Sequence, residues 1–172
     1  MGERDANGEW TPVIRVGLKR VNLEERVLGD EELRASPFAR LVGDDILRIL
    51  LAEANGRRFA GGARIFVEAD RGDSLFFLLK GEARRTVGTG AAAIDVAIVG
   101  KGELMGEGEA VGGNAFRQYT ATAAGDVELL EFPRAAIRIL AREHPEVAHY
   151  LRKLGDARKA AGAEMANFLN RW

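Results

Sequence analysis

GELMGEGEAVGGNAFRQYTATA, Gly102 to Ala123, is the stretch on which the reading of the whole chain turns. It is dense in glycine, carries Glu103, Glu107 and Glu109, and then presents a single arginine, Arg117. Two readings compete. Such a segment can be a flexible connection. It can also be a turn whose bare amides hold an anion while Arg117 supplies the counter-charge. The sequence on either side has to decide between them.

From Arg57 to Phe132 the chain runs in short segments with near-alternating apolar residues: RRF, ARIFVEA, SLFFLLKG, EARRTVG, AIDVAIVG, ELMG, YTATAAG and VELLEF. Turn signals separate them at Gly61-Gly62, Asp70 to Asp73, Gly88 to Gly90, Gly100 to Gly102 and Gly125-Asp126. Short strands at even spacing predict a sandwich or barrel, of which a jelly roll is one form. The expected fold class is mainly β with flanking α-helices. Its centre is an eight-stranded, jelly-roll-like β-roll over about 57–132.

The flanks read differently. Residues 1–12 are polar and expected to be mobile. Residues 13–28 mix β-branched and charged residues and are open between strand and helix. DEELRASPFARL predicts a short helix stopped near Pro37. Asp44 to Gly56 predicts an amphipathic helix with Ile46, Leu47, Ile49, Leu50 and Leu51 on its buried side, closed by Asn55-Gly56. After Pro133 the helical period returns, with Ile137 and Leu140 three apart. Pro145 restarts a longer helix. Its apolar stripe runs through Val147, Tyr150, Leu151, Leu154, Met165, Phe168, Leu169 and Trp172. Residues 1–29 thus form an appendage, and residues 30–172 one domain with two C-terminal helices over 133–172.

Composition narrows the function classes. At 47% hydrophobic residues the chain can build a real core. The 25 basic residues nearly balance the 26 acidic ones, so the basic excess of a dedicated nucleic-acid binder is missing and no direct nucleic-acid partner is expected. There is no cysteine, hence no disulfide framework and no thiolate chemistry. His144 and His149 are five apart, a spacing that does not suit a helical metal pair, so no metal is expected. A cupin-type enzyme on a similar roll would need histidines in the β region, which has none. No P-loop or nucleophile elbow is present, and an enzyme is not expected. The N-terminus lacks an apolar signal core and LFFLL is too short to span a bilayer, so a cytoplasmic protein without a membrane span is the expectation.

The β region and its flanks, from about Ser36 to Leu154, resemble the cyclic nucleotide-binding domain, the sensor domain of the catabolite activator protein and of protein kinase A regulatory subunits. Four segments carry the resemblance in order: SPFARL to LLKGEA, VGKGELMGE, RQYTATA, and VELLEFPRAAIRILAREHPEV. It implies that Gly106 to Ala110 and Arg117 form a phosphate-binding cassette. Arg117 would contact the cyclic phosphate and Glu107 would take the ribose 2′-hydroxyl. The chemistry suits the residues: a carboxylate accepts from a hydroxyl, and an arginine fork suits a phosphodiester. The expected ligand is cAMP or cGMP, with no cofactor.

The chain departs from the family's pattern at several places. Gly108 removes an aliphatic anchor. Glu109 stands where a small residue normally offers its amide to the phosphate, and its charge would repel the ligand unless the side chain points outward. An alternative register uses Gly108-Glu109 as the Gly-Glu pair; Glu107 is preferred because GKGELMGE keeps the upstream spacing. Tyr119 replaces a small residue and either covers the pocket or crowds it. Val96 falls on a position that packs on the purine, and Arg85 on its usually aliphatic partner. Arg85 is expected to point to solvent, the alternative being a more anionic ligand. Gln118 lacks the hydroxyl that often accompanies guanine preference, which leans the site towards cAMP. The C-terminal helix offers only Gly162 and Ala163 to the base.

The resemblance implies a ligand sensor. Because the sequence runs to Trp172 directly from the long helix, the expected output is an unknown protein effector or a change of self-association, such as a homodimer through the C-terminal helix. The stripe from Met165 to Trp172 would be a lid or contact surface, or would pack back on the roll. The competing expectation is a degenerate member that serves as an interaction scaffold or takes another anion such as cyclic di-GMP.

Overall fold

The computed structural model describes residues 2–4, 10–12, 22–111, 115–169 and 171. Strands β1 (Gly2–Arg4) and β2 (Trp10–Pro12) pair antiparallel, where the sequence announced no regular element. Residues 13–21 lie outside the described part; the end of the undecided segment is helix α1 (Leu23–Leu28). Asn22 starts it, its side-chain oxygen accepting from the N–H groups of Glu24 and Glu25. Asp30 caps α2 (Glu31–Arg34) in the same way through Leu33 N–H.

The short helix does stop near Pro37, with α2 ending at Arg34, but Pro37 also starts the next one. It occupies the first turn of α3 (Pro37–Glu53), where a missing N–H costs nothing and a preset φ helps. The helix is kinked at Gly43. Asn55-Gly56 does not close it: Ala54 is already extended, and Asn55 and Gly56 pair with Glu131 and Leu130 as the start of β3 (Asn55–Phe59). Leu47, Leu50 and Leu51 are the buried side, Ile46 is partly buried, and Ile49, placed in the core by the sequence reading, is 68% exposed.

The eight anticipated strands are all present. After β3 come β4 (Arg64–Phe66), β5 (Ser74–Lys80), β6 (Ala83–Val87), β7 (Ile94–Val99), β8 (Leu104–Met105), β9 (Thr120–Ala123) and β10 (Val127–Pro133). They form two four-stranded antiparallel sheets, ordered β3-β10-β5-β8 and β4-β9-β6-β7. The first strand of the roll pairs with the last, which closes a jelly roll.

Strand β5 shows why SLFFLLK is a continuous apolar run. Leu75, Phe77 and Leu79 pack with the helices, and Phe76 and Leu78 face the interior of the roll. A strand buried on both faces needs apolar residues at every position. Outside the roll, Phe38 meets Phe77 and Phe132 with ring centroids 6.2 and 6.5 Å apart. Inside it, Phe66 lies against Phe76 and Tyr119 at 5.7 and 5.3 Å. Each such buried aromatic or leucine stabilises the fold by roughly 1.5–3 kcal/mol.

The connection between β8 and β9 carries α4 (Glu107–Val111). Two helices follow β10: α5 (Arg134–Glu143), which buries Ile137 and Leu140, and α6 (Pro145–Leu169). The first part of α6 buries Val147 and Leu151 against the helical core and runs across α4. Its far end leaves Met165, Phe168 and Leu169 exposed rather than packed back on the roll; Trp172 lies outside the described residues. Among the described residues no helix is long and apolar enough to cross a membrane, and no cluster of metal-ligating side chains occurs.

Candidate functional site

Strand β8 delivers the chain to Gly106, which turns it at φ 78° into α4. The Gly106 N–H donates to the Tyr119 hydroxyl at 3.0 Å, and that hydroxyl donates to Glu107 Oε2 at 3.0 Å. Burial pushes the Tyr119 phenol well above its ordinary range, so it stays neutral and remains a donor. Glu107 is only 1% exposed. Its cationic partner comes from far along the chain: Arg158 on α6 places Nη1 2.8 Å from Glu107 Oε2 and also donates to the Leu104 carbonyl. Burial alone would lower the pKa of Arg158; Glu107 and Tyr119 outweigh it and hold the guanidinium charged.

Arg117 is held by the turn between β4 and β5. Its N–H donates to the Asp70 carbonyl at 2.7 Å, and its own carbonyl accepts from Ala69 N–H at 2.8 Å. The segment EADRGDS is thus a tight turn that clasps the backbone of Arg117. The side chain lies over Phe66 and Phe76, with Cζ 4.4 and 5.3 Å from the ring centroids. Nη1 donates to the Ser74 carbonyl at 2.9 Å and reaches Glu109 Oε2 at 3.4 Å. The buried Nε–H has no hydrogen-bond partner among the described residues.

Glu109 does not point outward. It is 1% exposed, and Oε1 accepts from Gln118 N–H at 2.8 Å. Two donors, that amide and Arg117, draw it inward. Burial nonetheless raises its pKa; Gln118 N–H and Arg117 offset this only in part. The 3.4 Å contact to Arg117 is long beside the roughly 2.7–2.9 Å of a tight charge-assisted bond. Glu109 therefore holds the arginine loosely.

A cavity of about 400 Å³ lies between the roll and α6, within the range of roughly 300–1,000 Å³ typical of small-molecule sites. Glu107, Gln118 and Tyr119 line its cassette end, and Arg85 and Val87 line the wall from β6. From α6 come Gly155, Arg158, Lys159, Gly162 and Ala163. Gly155 lets the helix rest on the cassette: a methyl group there would stand 3.4 Å from Gly108 Cα. A methyl group at Gly162 would stand 3.7 Å from Val87 and 3.9 Å from Val96.

Of the nine residues singled out from sequence, Glu107, Gln118 and Arg85 therefore line the cavity. Val96 borders it across from Gly162, and Gly108 lies between the Gln118 side chain and Gly155. Gly106 is tied to Tyr119; Ala110 belongs to the helical core; Arg117 and Glu109 pair beneath the cassette. Tyr119 both covers and organises the pocket.

Arg85 corrects the sequence reading. It is 4% exposed rather than directed to solvent, with its guanidinium 5.1 Å from the Tyr119 ring centroid. Burial, then the like charge of Arg158, lowers its pKa from the ordinary arginine value. Arg158 and Lys159 were missed. A signal existed: Gly155, Arg158, Lys159 and Gly162 follow a helical i, i+3, i+4, i+7 spacing, and Gly162 was already placed at the base.

The fold is shared with known proteins. The profile of the cyclic nucleotide-binding domain matches residues 56–144. A cyclic nucleotide-gated potassium channel of Rhizobium etli is 28% identical over 145 residues, which are 84% of this chain and 39% of the channel. The chain thus spans about two fifths of that relative's length. The catabolite activator protein of Thermus thermophilus superposes with a TM-score of 0.64 at 28% identity, covering 78% of this chain and 63% of that one. The regulatory domain of Toxoplasma gondii PKA, solved with cAMP, superposes with a TM-score of 0.67 at 20% identity, covering 78% and 51%. The matched family is a nucleotide-binding domain, and the fold is the one these structures share. With the closed jelly roll, the cassette after β8 and the helix across it, the match over residues 56–144 identifies the chain as a member of the cyclic nucleotide-binding domain family.

Proposed function

We propose that the cavity under α6 binds a cyclic purine nucleotide and that α6 reports its occupancy. The ribose would lie on Glu107 and the cyclic phosphate on the cassette and Arg117. The base would lie between the Val87–Val96 wall and Gly162-Ala163. One observation carries this reading: Arg117 is buried, fixed in place at both ends of its backbone unit, loosely paired through Nη1 next to Gly106, and left with an unpartnered Nε–H on its Gly72 side. A buried donor without an acceptor is costly, and a phosphodiester would satisfy it.

The output follows from Arg158. A ribose hydroxyl on Glu107 enters a group that α6 already holds through Arg158. The ligand moves α6 only as far as its affinity differs between the two helix positions. The exposed Met165, Phe168 and Leu169 would pass that change to a protein effector or to a second copy. The cysteine-free sequence fits the cytoplasmic setting we assign to it.

Calorimetry with cAMP and cGMP tests the reading. Arg117→Ala is expected to cost about 2–5 kcal/mol of binding, as for truncating a buried charge partner. Equal affinities in the wild type and the variant would remove Arg117 from the site.

A second reading is favoured by Glu109. Its carboxylate already faces the phosphate arginine, so the domain could have exchanged its ligand for an internal anion and serve as a scaffold, or take a different anion such as cyclic di-GMP. Thermal stabilisation by cyclic di-GMP and by neither mononucleotide would establish it over the first. On base identity two features pull apart. Gln118 in place of a hydroxyl residue leans towards cAMP, and Arg85 in the wall leans the other way.

A further inference from the structure

Arg85 is a costly residue in its position. It is 96% buried by its 4% exposure, lines the cavity, and forms no ion pair among the described residues. Its buried Nε–H has no hydrogen-bond partner there. The Tyr119 ring fixes the guanidinium plane from one side. Two residues on, on the same face of β6, Val87 also lines the cavity, and Val96 on β7 completes an apolar wall. Opposite that wall, Gly162 and Ala163 bring no side-chain donor or acceptor. Of the other polar groups, Glu68 Oε2 accepts from Gly88 N–H and Glu107 is held by Tyr119 and Arg158, while Lys159, exposed on α6, and the Gln118 amide also line the cavity. A base in this slot therefore meets, on its β wall, a buried guanidinium with an unpaired N–H, whereas the Lys159 ammonium on α6 stands exposed to solvent.

A guanidinium offers only N–H donors in a planar fork. Guanine presents two adjacent acceptors, O6 and N7, which match the fork. Adenine presents N7 beside an N6 amino group, which sets donor against donor and leaves one arginine N–H unpaired against the buried wall. We infer that Arg85 reads the O6–N7 edge of the base and makes guanine the preferred purine of this pocket. The inference rests on the cyclic nucleotide reading above and reverses the lean that Gln118 suggested from sequence. That lean assumed an Arg85 directed to solvent.

The test is calorimetry on the full chain with cGMP, cIMP and cAMP, for wild type, Arg85→Lys and Arg85→Met. cIMP keeps O6 and N7 and lacks the 2-amino group. Wild type is expected to bind cGMP and cIMP within about threefold of each other, and both about tenfold more tightly than cAMP, the discrimination of one bidentate pair. Arg85→Met keeps the stem's packing and should bring the three affinities within about threefold. Arg85→Lys, a point charge without the fork, should fall between and serves if the methionine variant fails to fold. Wild type that binds cAMP as well as cGMP would overturn the inference. So would a guanine preference that survives in Arg85→Met, or an equal loss for all three ligands. In those cases the pocket still binds cyclic nucleotides. If the wild type binds none of the three, the cyclic nucleotide reading fails and this inference falls with it.

Discussion

Arg158 on α6 and Glu107 on α4 stand 2.8 Å apart, nearly closed to solvent, and join the C-terminal helix to the cassette across 51 positions of sequence. The pair is supported on both sides. Tyr119 donates to the same carboxylate oxygen, and Arg158 donates to the Leu104 carbonyl at the end of β8. Gly155, one turn earlier on α6, brings the helix backbone close enough for the arginine to reach.

Removing one partner leaves the other charge buried. Arg158→Met is expected to destabilise the protein by about 3 kcal/mol, because Glu107 then keeps only the tyrosine hydroxyl. Adding Glu107→Gln should restore most of that loss, since the stranded charge is gone. Urea unfolding of the two single variants and the double variant measures the coupling. Strictly additive losses would mean that the two side chains do not stabilise each other.

Glu109 sets a pH dependence. Burial raises its pKa in the folded chain above the unfolded value. The folded state therefore takes up the proton more readily. The stability this gives is fully present below the unfolded carboxyl pKa and is lost as pH rises through the folded pKa. Glu109→Gln should flatten that part of the stability–pH curve, measured by thermal unfolding from about pH 4 to pH 7. The same substitution removes the anion that competes for Arg117 and should tighten cyclic nucleotide binding at neutral pH. An unchanged curve and unchanged affinity would count against both roles.

Gly106→Ala should damage the cassette. At φ 78° an alanine is strained, and its Cβ would stand 2.3 Å from Arg117 Nη1 and 2.8 Å from the Ser74 carbonyl oxygen. The backbone oxygen cannot give way without moving β5, so a cost of about 2 kcal/mol is expected together with weaker ligand binding. Gly125→Ala, where the added methyl meets nothing within 4 Å, is the control. Denaturant unfolding and calorimetry of both variants decide whether the effect belongs to the cassette.

Most of the roll strands were readable because they are short, rich in apolar or β-branched residues and bounded by glycine or aspartate; β3, NGRRF, is the exception in composition. Those are local properties. The helix boundaries were less readable. Pro37 can end one helix or begin another, and Asn55-Gly56 can close a helix or open a strand. What decides the second case is the pairing of Asn55 and Gly56 on β3 with β10, more than 70 positions away. The family resemblance led to Glu107, Gln118 and Gly162, and the structure sets all three at the cavity. The direction of a single side chain was not readable. Arg85 was expected in water because an unpaired arginine is costly in an apolar wall. The structure turns it inward onto Tyr119, a neighbour brought by the pairing of β6 with β9.

By itself, the sequence determined the run of short strands and the helical flanks; the cassette with Glu107 and Arg117 came from the family resemblance and stays a proposal. Composition, period and spacing act over a few residues and survive without a partner. Only the tertiary structure decided who neutralises whom. Glu107 meets Arg158, Glu109 turns in to Arg117, and Arg85 is buried without an acceptor. Charge pairing inside a protein depends on distance and burial, and both are set by elements far apart in the chain.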